Sequence, residues 1–204
     1  MLRFAPVALA LTVVALQPAA ASAQASTDPA KAPAGTYAVE PKHTRVLFAV
    51  NHMGFTTYYG DFTGVAGSLQ LDPTKPAASS VSVTIPVASV STTNSVLDGE
   101  LKSPQWLDAA ANPTISFKST KVTPTGANTA DIDGDFTLHG VTKPVTLAAK
   151  FNAVGANPMN PKVTVVGFDA TAHLKRSDFG VSRYVPMIGD QVDVIISAAF
   201  EKAN

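Results

Sequence analysis

The side chains of this chain that could do chemistry are few and scattered. There are four histidines and no cysteine, so thiol redox chemistry and cysteine-ligated metal sites are excluded. His43, His52, His139 and His173 fall in three regions without HxH or HExxH spacing. The local ligand spacing of a dedicated metal site is therefore absent, and no metal or cofactor is expected. His52 ends an apolar run. A neutral imidazole there can be a hydrogen-bonded structural group or can meet the polar end of a ligand without burying a net charge; a general base or metal ligand is the remaining option. Asp131, Asp133 and Asp135 alternate along one stretch. Paired carboxylates can do acid–base work, but three on the polar side of a strand also make a solvated face. Arg176 and Asp178 sit beside Phe179-Gly180. They suit an ion pair closing one end of the fold, or an Arg176 that faces a ligand's polar head. Neither a Gly-x-Ser-x-Gly elbow nor a Gly-x-Gly-x-x-Gly loop occurs.

The elements that must position these groups read as strands. From His43 to His52, Val46, Phe48, Val50 and His52 share one face, because side chains alternate along a strand. Thr57 to Leu71 reads as a second strand, bent or bulged at Gly60, Gly64 and Gly67. Ser80 to Val87, Thr114 to Val122, Ala130 to His139, Lys143 to Asn152, Val163 to Leu174 and Gln191 to Glu201 follow, with Gly155 to Pro161 as a loop. Thr92 to Asn112 breaks the alternation. Its Val96, Leu97, Leu101, Trp106 and Leu107 are spaced nearer a helical period, Asn94 or Ser95 is a candidate cap, and Pro104 splits the segment. About eight strands joined mostly by short turns, without βαβ alternation, predict an all-β fold: an antiparallel eight-stranded barrel with one short helical insertion. A β-sandwich is the competing architecture. Small residues on the expected inner face (Gly60, Gly64, Gly134, Ala198) favour a barrel with a cavity, and eight strands leave room for side chains or one small ligand.

The N-terminus has another purpose. Arg3, the apolar stretch Phe4 to Leu16 and the small-residue run Ala19 to Gln24 form a secretory signal peptide over residues 1–23, with cleavage expected after Ala23. About 13 apolar residues are too few to span a bilayer, so no stable membrane span is expected. Residues 24–35, rich in Ala, Pro, Ser and Thr, read as a disordered leader, and residues 36–204 as the folded domain. Fifteen basic and fifteen acidic residues become fourteen and fifteen once Arg3 is removed, a net charge of −1. No basic field is left to hold nucleic acid. A secreted chain without cysteine must draw its stability from its core and strand pairing. Together these features point to the periplasm of a Gram-negative bacterium as the expected location.

Three blocks of residues resemble a known family. His43-Thr-x-Val-x-Phe-x-Val-x-His52 followed by Gly60-x-Phe62 and Gly67, the central Asp135-Phe-Thr-Leu-His-Gly-Val-Thr-Lys-Pro-Val145, and Arg176-Ser-Asp-Phe-Gly180 resemble the YceI-like family in order and spacing. The similarity extends from about Thr36 to Lys202. Thr56 and Thr57 stand where the family usually has serine, which keeps a hydroxyl. The resemblance implies a lipocalin-like barrel in the periplasm that encloses a long-chain amphiphile, such as a polyisoprenoid, an isoprenoid quinone, or a fatty acid or amide, as a binding protein rather than an enzyme. On the apolar faces read above, the chain of such a ligand would contact Val46, Phe48, Val50, Phe62, Phe117 and Trp106, with its head at His52 or Arg176. An enzyme acting on a bound lipid or quinone, and a stress-related structural module without a cavity ligand, are the alternatives. The oligomeric state stays open, a homodimer among the options.

Overall fold

The structure is a computed structural model that describes residues 25–203; the expected signal peptide lies outside the described residues. Among the described residues ten strands occur in chain order: β1 Gly35–Val39, β2 Arg45–His52, β3 Thr56–Phe62, β4 Ala66–Leu71, β5 Ser80–Pro86, β6 Thr114–Pro124, β7 Thr129–Leu138, β8 Val141–Asn157, β9 Asn160–Lys175 and β10 Ile188–Ala203. One α-helix among the described residues, α1, spans Ser95–Leu101. Every pairing is antiparallel.

Ten strands occupy eight positions in a closed ring. β1 and β2 lie end to end along β10, pairing Val39 with Phe200 and Arg45 with Ser197. β4 and β3 lie end to end alongside them, pairing with β1 and β2 respectively. The order then runs β4-β5-β6-β7-β8-β9-β10, and β10 returns to β1. The all-β, eight-stranded barrel with a short helical insertion is thus the observed fold. The expected second strand is two strands hinged at Thr63-Gly64-Val65. The break between β1 and β2 is mended by a side chain: the fully buried Thr44 hydroxyl accepts from Ala199 N at 3.0 Å and donates to Ala199 O at 3.3 Å. Ala199 O also accepts from Glu40 N at 2.8 Å, whereas Ala199 N has the Thr44 hydroxyl as its partner, and an orphaned buried amide is costly.

The two ends of the barrel differ. At one end α1 and the segment after it cross over. Asn94 caps the helix by accepting from Val96 N and Leu97 N, and Thr92 N–H and its hydroxyl donate to Asp98. Val87, Val90, Trp106, Leu107, Phe179 and Val181 are buried there in one apolar cluster. At the other end stand the β4–β5 loop, the β6–β7 turn and the N-terminal segment. Residues 25–35, expected to be a disordered leader, are instead docked. Ser26 exchanges backbone hydrogen bonds with Val154 of β8, Asn128 Nδ2 donates to Thr27 O, Ala32 is buried, and the Tyr37 hydroxyl donates to Pro33 O at 2.6 Å. Composition failed as a guide because the segment borrows its partners from β8 and the β6–β7 turn. The expected loop at Gly155 to Pro161 is also shorter: β8 and β9 continue past it to a tight turn between Asn157 and Asn160.

Candidate functional site: an apolar cavity inside the barrel

Along β10, Val192, Val194, Ile196 and Ala198 alternate inward, as do Val145, Leu147 and Ala149 on β8. These inward residues are only half-buried, because the space they face is empty. The cavity has a volume of about 270 Å³. Seven of the residues expected from the sequence line it: Val46, Phe48 and Val50 from β2, Phe62 from β3, Phe117 from β6, Trp106 from the crossover segment and Arg176 from the turn after β9. His52 does not. It ends β2 at the hairpin tip, with its ring 6.0 Å from that of Tyr58, one inward step beyond Val50 and outside the cavity wall.

The inner-face glycines have a different use from the one expected. A Cβ on Gly60 would overlap the Phe48 ring, and a Cβ on Gly134 would overlap the Phe117 ring. Gly60 and Gly134 therefore hold no open space; they let aromatic rings lie along the wall. Phe48 then meets Phe62 at 5.7 Å between ring centres. Bulges keep the inner face apolar along long strands. The register of β6 shifts between Ser119 and Lys121, so Val122 points inward where strict alternation from Ile115 and Phe117 would send it out.

Arg176 shows how the Arg-Ser-Asp-Phe-Gly block works. The register of β10 against β2 shifts between Ile188 and Val192, and Arg176 bonds to carbonyls in and around that irregularity. Its Nε donates to Gly189 O at 2.8 Å, Nη2 to Ile188 O at 2.9 Å and Nη1 to Val181 O at 2.7 Å. The guanidinium also lies 5.4 Å from the centre of the Trp106 ring, whose indole N–H donates to Glu100 at 3.1 Å. Burial pulls the Arg176 guanidinium below its ordinary range, and the nearby Asp190 carboxylate partly opposes this. Asp190 accepts from Ser177 N at 2.9 Å and from the Ser177 hydroxyl at 2.7 Å. The Ser177 N–H above all, then its hydroxyl and the Arg176 and Lys175 charges, hold Asp190 below the usual carboxylate range against the effect of burial. The ion pair with Asp178 is not formed: Asp178 lies 3.9 Å from Lys143 and is half-exposed. The acidic neighbour of Arg176 is Asp190, twelve residues beyond Asp178.

The other titratable groups do not converge. His43 Nδ1 lies 2.7 Å from Glu40, and His173 Nδ1 lies 2.7 Å from Asp193 across the β9–β10 pair. His139 Nδ1 donates to Phe179 O at 3.2 Å, tying the β7–β8 turn to the Arg176 turn. Asp133 accepts from the Thr146 hydroxyl. Among the described residues no group of three or more His, Asp or Glu side chains is placed to hold a metal ion. Thr44 and Arg176 are the polar wall residues apart from the indole of Trp106, and both are bonded to backbone. Thr44, Leu174 and Ile188 were not singled out as wall residues from the sequence. The inward phase of Leu174 was readable from its strand; Thr44 and Ile188 sit at irregularities that alternation does not describe.

A hollow, closed, eight-stranded antiparallel barrel with an apolar interior defines a lipocalin-like architecture. Within it, the chain belongs to the YceI-like family, whose domain model matches residues 37–200. It is 38% identical to a UPF0312 protein of Ectopseudomonas mendocina over 169 residues, covering 82% of this chain and 87% of that protein. It is 39% identical to a UPF0312 protein of Azotobacter vinelandii over 158 residues, covering 78% and 81%. Two solved structures share the fold. Burkholderia cenocepacia BcnA matches with a TM-score of 0.69 at 24% identity, over 76% of this chain and 95% of that one. A polyisoprenoid binding domain from Saccharophagus degradans, implicated in plant cell wall breakdown, matches with a TM-score of 0.63 at 14% identity, over 82% and 98%.

Proposed function

We propose that this protein is a periplasmic carrier or storage protein that holds an isoprenoid-type lipid, or a similar long-chain amphiphile, in its barrel. The observation that carries this reading is the cavity itself: about 270 Å³ walled by apolar side chains that stay half-accessible inside a closed barrel. A cavity of about 150 Å³ lined by Leu, Ile and Phe stays dry and takes benzene. By proportion, this cavity takes about ten carbons in that environment. Each buried CH₂ contributes about 0.8 kcal/mol, so ten give about 8 kcal/mol before the costs of association, the scale of micromolar binding. The chain of the ligand lies against Val46, Phe48, Val50, Phe62, Phe117 and Trp106. Arg176 contributes as a wall residue and His52 stays outside the contact set. That one fold relative is a polyisoprenoid binding domain agrees with the chemistry of the wall. Binding without catalysis is the better reading, since the polar wall side chains, Thr44 and Arg176, are engaged with backbone atoms. Delivery to the periplasm through the N-terminal signal peptide completes the proposal.

Native mass spectrometry of gently purified mature protein tests it. A lipid-sized adduct that organic extraction removes is the expected result. Protein that carries no adduct and takes up no long-chain alcohol or isoprenoid offered to it would overturn the proposal.

A further inference from the structure

Nine large apolar side chains stand exposed among the described residues, and five of them gather in one place. Met53 and Phe55 come from the β2–β3 turn, and Tyr184, Val185 and Met187 from the segment that leads into β10. Met53 N donates to Met187 O at 2.9 Å and His52 pairs with Ile188, so the two segments form one tip at the Trp106 end of the barrel. Phe55 is 88% exposed there. The backbone takes on strain to hold these side chains. In the turn His52–Phe55 both central residues have positive φ, 56° at Met53 and 75° at Gly54, and such a turn ordinarily carries Asn or Asp before its Gly. Tyr184 is likewise left-handed, with φ 60°. Large exposed side chains at strained positions point to a use outside the core.

Size and charge identify what covers the tip. A stable protein–protein interface takes about 20–30 residues a side, which two short segments do not supply. A bilayer surface is held reversibly by a few apolar and aromatic side chains with a cation beside them. Residues 51–60 and 181–189 contain no Asp or Glu and one cation, Arg183. Its guanidinium lies 4.5 Å from the centre of the Tyr184 ring, and Nη2 donates to the Tyr184 hydroxyl at 2.7 Å. Its Nε has no acceptor within the protein. Carboxylates of the neighbouring segments are engaged elsewhere: Glu100 accepts from Trp106, Asp190 from Ser177, and Asp178 lies 3.9 Å from Lys143. The tip is also continuous with the cavity. Ile188, next to Met187, belongs to the cavity wall, and so does Trp106, whose ring centre is 6.1 Å from that of Tyr184. Resting on the lipid-binding reading, we propose that this tip docks the barrel on an anionic phospholipid bilayer. Met53, Phe55 and Met187 enter the acyl boundary, Tyr184 lies at headgroup level, and Arg183 meets a phosphate. Docking sets the Trp106 end of the cavity against the membrane that holds a ligand of this kind.

Co-sedimentation of mature full-length protein with vesicles tests this, using phosphatidylcholine alone and phosphatidylcholine with one-quarter phosphatidylglycerol. Stronger partition onto the anionic vesicles is expected. Phe55→Ser should lower partition at least about tenfold, and Arg183→Gln about fivefold on the anionic vesicles only. The chain has no cysteine, so Phe55→Cys and Met159→Cys each accept a single environment-sensitive dye. Met159 is 94% exposed in the β8–β9 turn, at the other end of the barrel. Vesicles should shift the emission of the dye at position 55 to the blue and leave the dye at position 159 unchanged. No partition onto either vesicle, partition that neither Phe55→Ser nor Arg183→Gln weakens, or equal shifts of both dyes would overturn the docking proposal. A dye at position 55 that responds to raised protein concentration and not to vesicles would overturn it in favour of a second copy of the chain. Each of these results leaves the cavity reading standing, because the lipid adduct in native mass spectrometry measures that reading separately.

Discussion

Ala198→Phe tests the cavity most directly. Ala198 lies on β10, faces the cavity and pairs with Phe168. The substitution adds one phenyl ring to a space of about 270 Å³. A benzene-sized group needs a cavity of about 150 Å³, so the remaining volume would take roughly five carbons instead of about ten. At about 0.8 kcal/mol per buried CH₂, the loss is about 4 kcal/mol, or nearly three decades in affinity. A ligand that shifts along the barrel recovers part of this, so a loss of at least about a hundredfold is expected for a fifteen-carbon isoprenoid alcohol. Displacement of a fluorescent fatty-chain probe measures it. Denaturant unfolding is the control, because a ring added to open space should cost less than the roughly 1–3 kcal/mol of overpacking a filled core. Unchanged affinity in a folded variant would refute the placement of the chain in the barrel. A destabilisation well above that range would show that the interior is filled rather than hollow.

Other changes probe the wall that shapes the cavity. Gly134→Val must displace the Phe117 ring and should destabilise by about 1–3 kcal/mol, read from the urea midpoint; an unchanged midpoint would contradict the ring-over-glycine packing. Arg176→Met leaves the carbonyls of Val181, Ile188 and Gly189 without their donor and should cost more than about 3 kcal/mol. Arg176→Lys should rescue it only in part, since an ammonium lacks the planar fork that reaches three carbonyls. Thr44→Val removes both bonds to Ala199 and should cost about 1–3 kcal/mol, with faster amide exchange at Ala199. Asp190, whose folded-state pKa is depressed chiefly by Ser177 N–H, contributes stability that is present above the unfolded-state value of about 3.9. That contribution is lost as pH falls through the lower folded-state value. Acid unfolding of Asp190→Asn should therefore show a shallower loss of stability below about pH 4 than the unaltered protein.

Much of the site was legible because a strand's two-residue period is local. Val46, Phe48 and Val50 take one face from spacing alone, and all three line the cavity. The same reasoning extended one step too far at His52, where alternation gives the phase but not the height in the barrel. It also misread Gly60 and Gly134 as open space, since whether a neighbouring phenyl ring lies over a glycine depends on the adjacent strand. Arg176 stands out in the sequence, but the one acidic partner the sequence offers beside it is Asp178, because closeness in sequence is the only available measure of closeness there. The irregularity in β10 brings Asp190 to Ser177 instead.

By itself, then, the sequence determined an all-β chain of antiparallel strands with one apolar face and one helical interruption, and placed it in its family through three motif blocks. These properties depend on residue types a few positions apart. Tertiary structure alone decided that the ring closes with β1–β2 and β3–β4 each acting as one hinged strand, that residues 25–35 dock, and that the interior is hollow. Closure, docking and emptiness depend on which distant segments meet and in what register. A residue's alternation with its neighbours shows which way it points, but the volume left between inward-pointing side chains is set by all eight strand positions together.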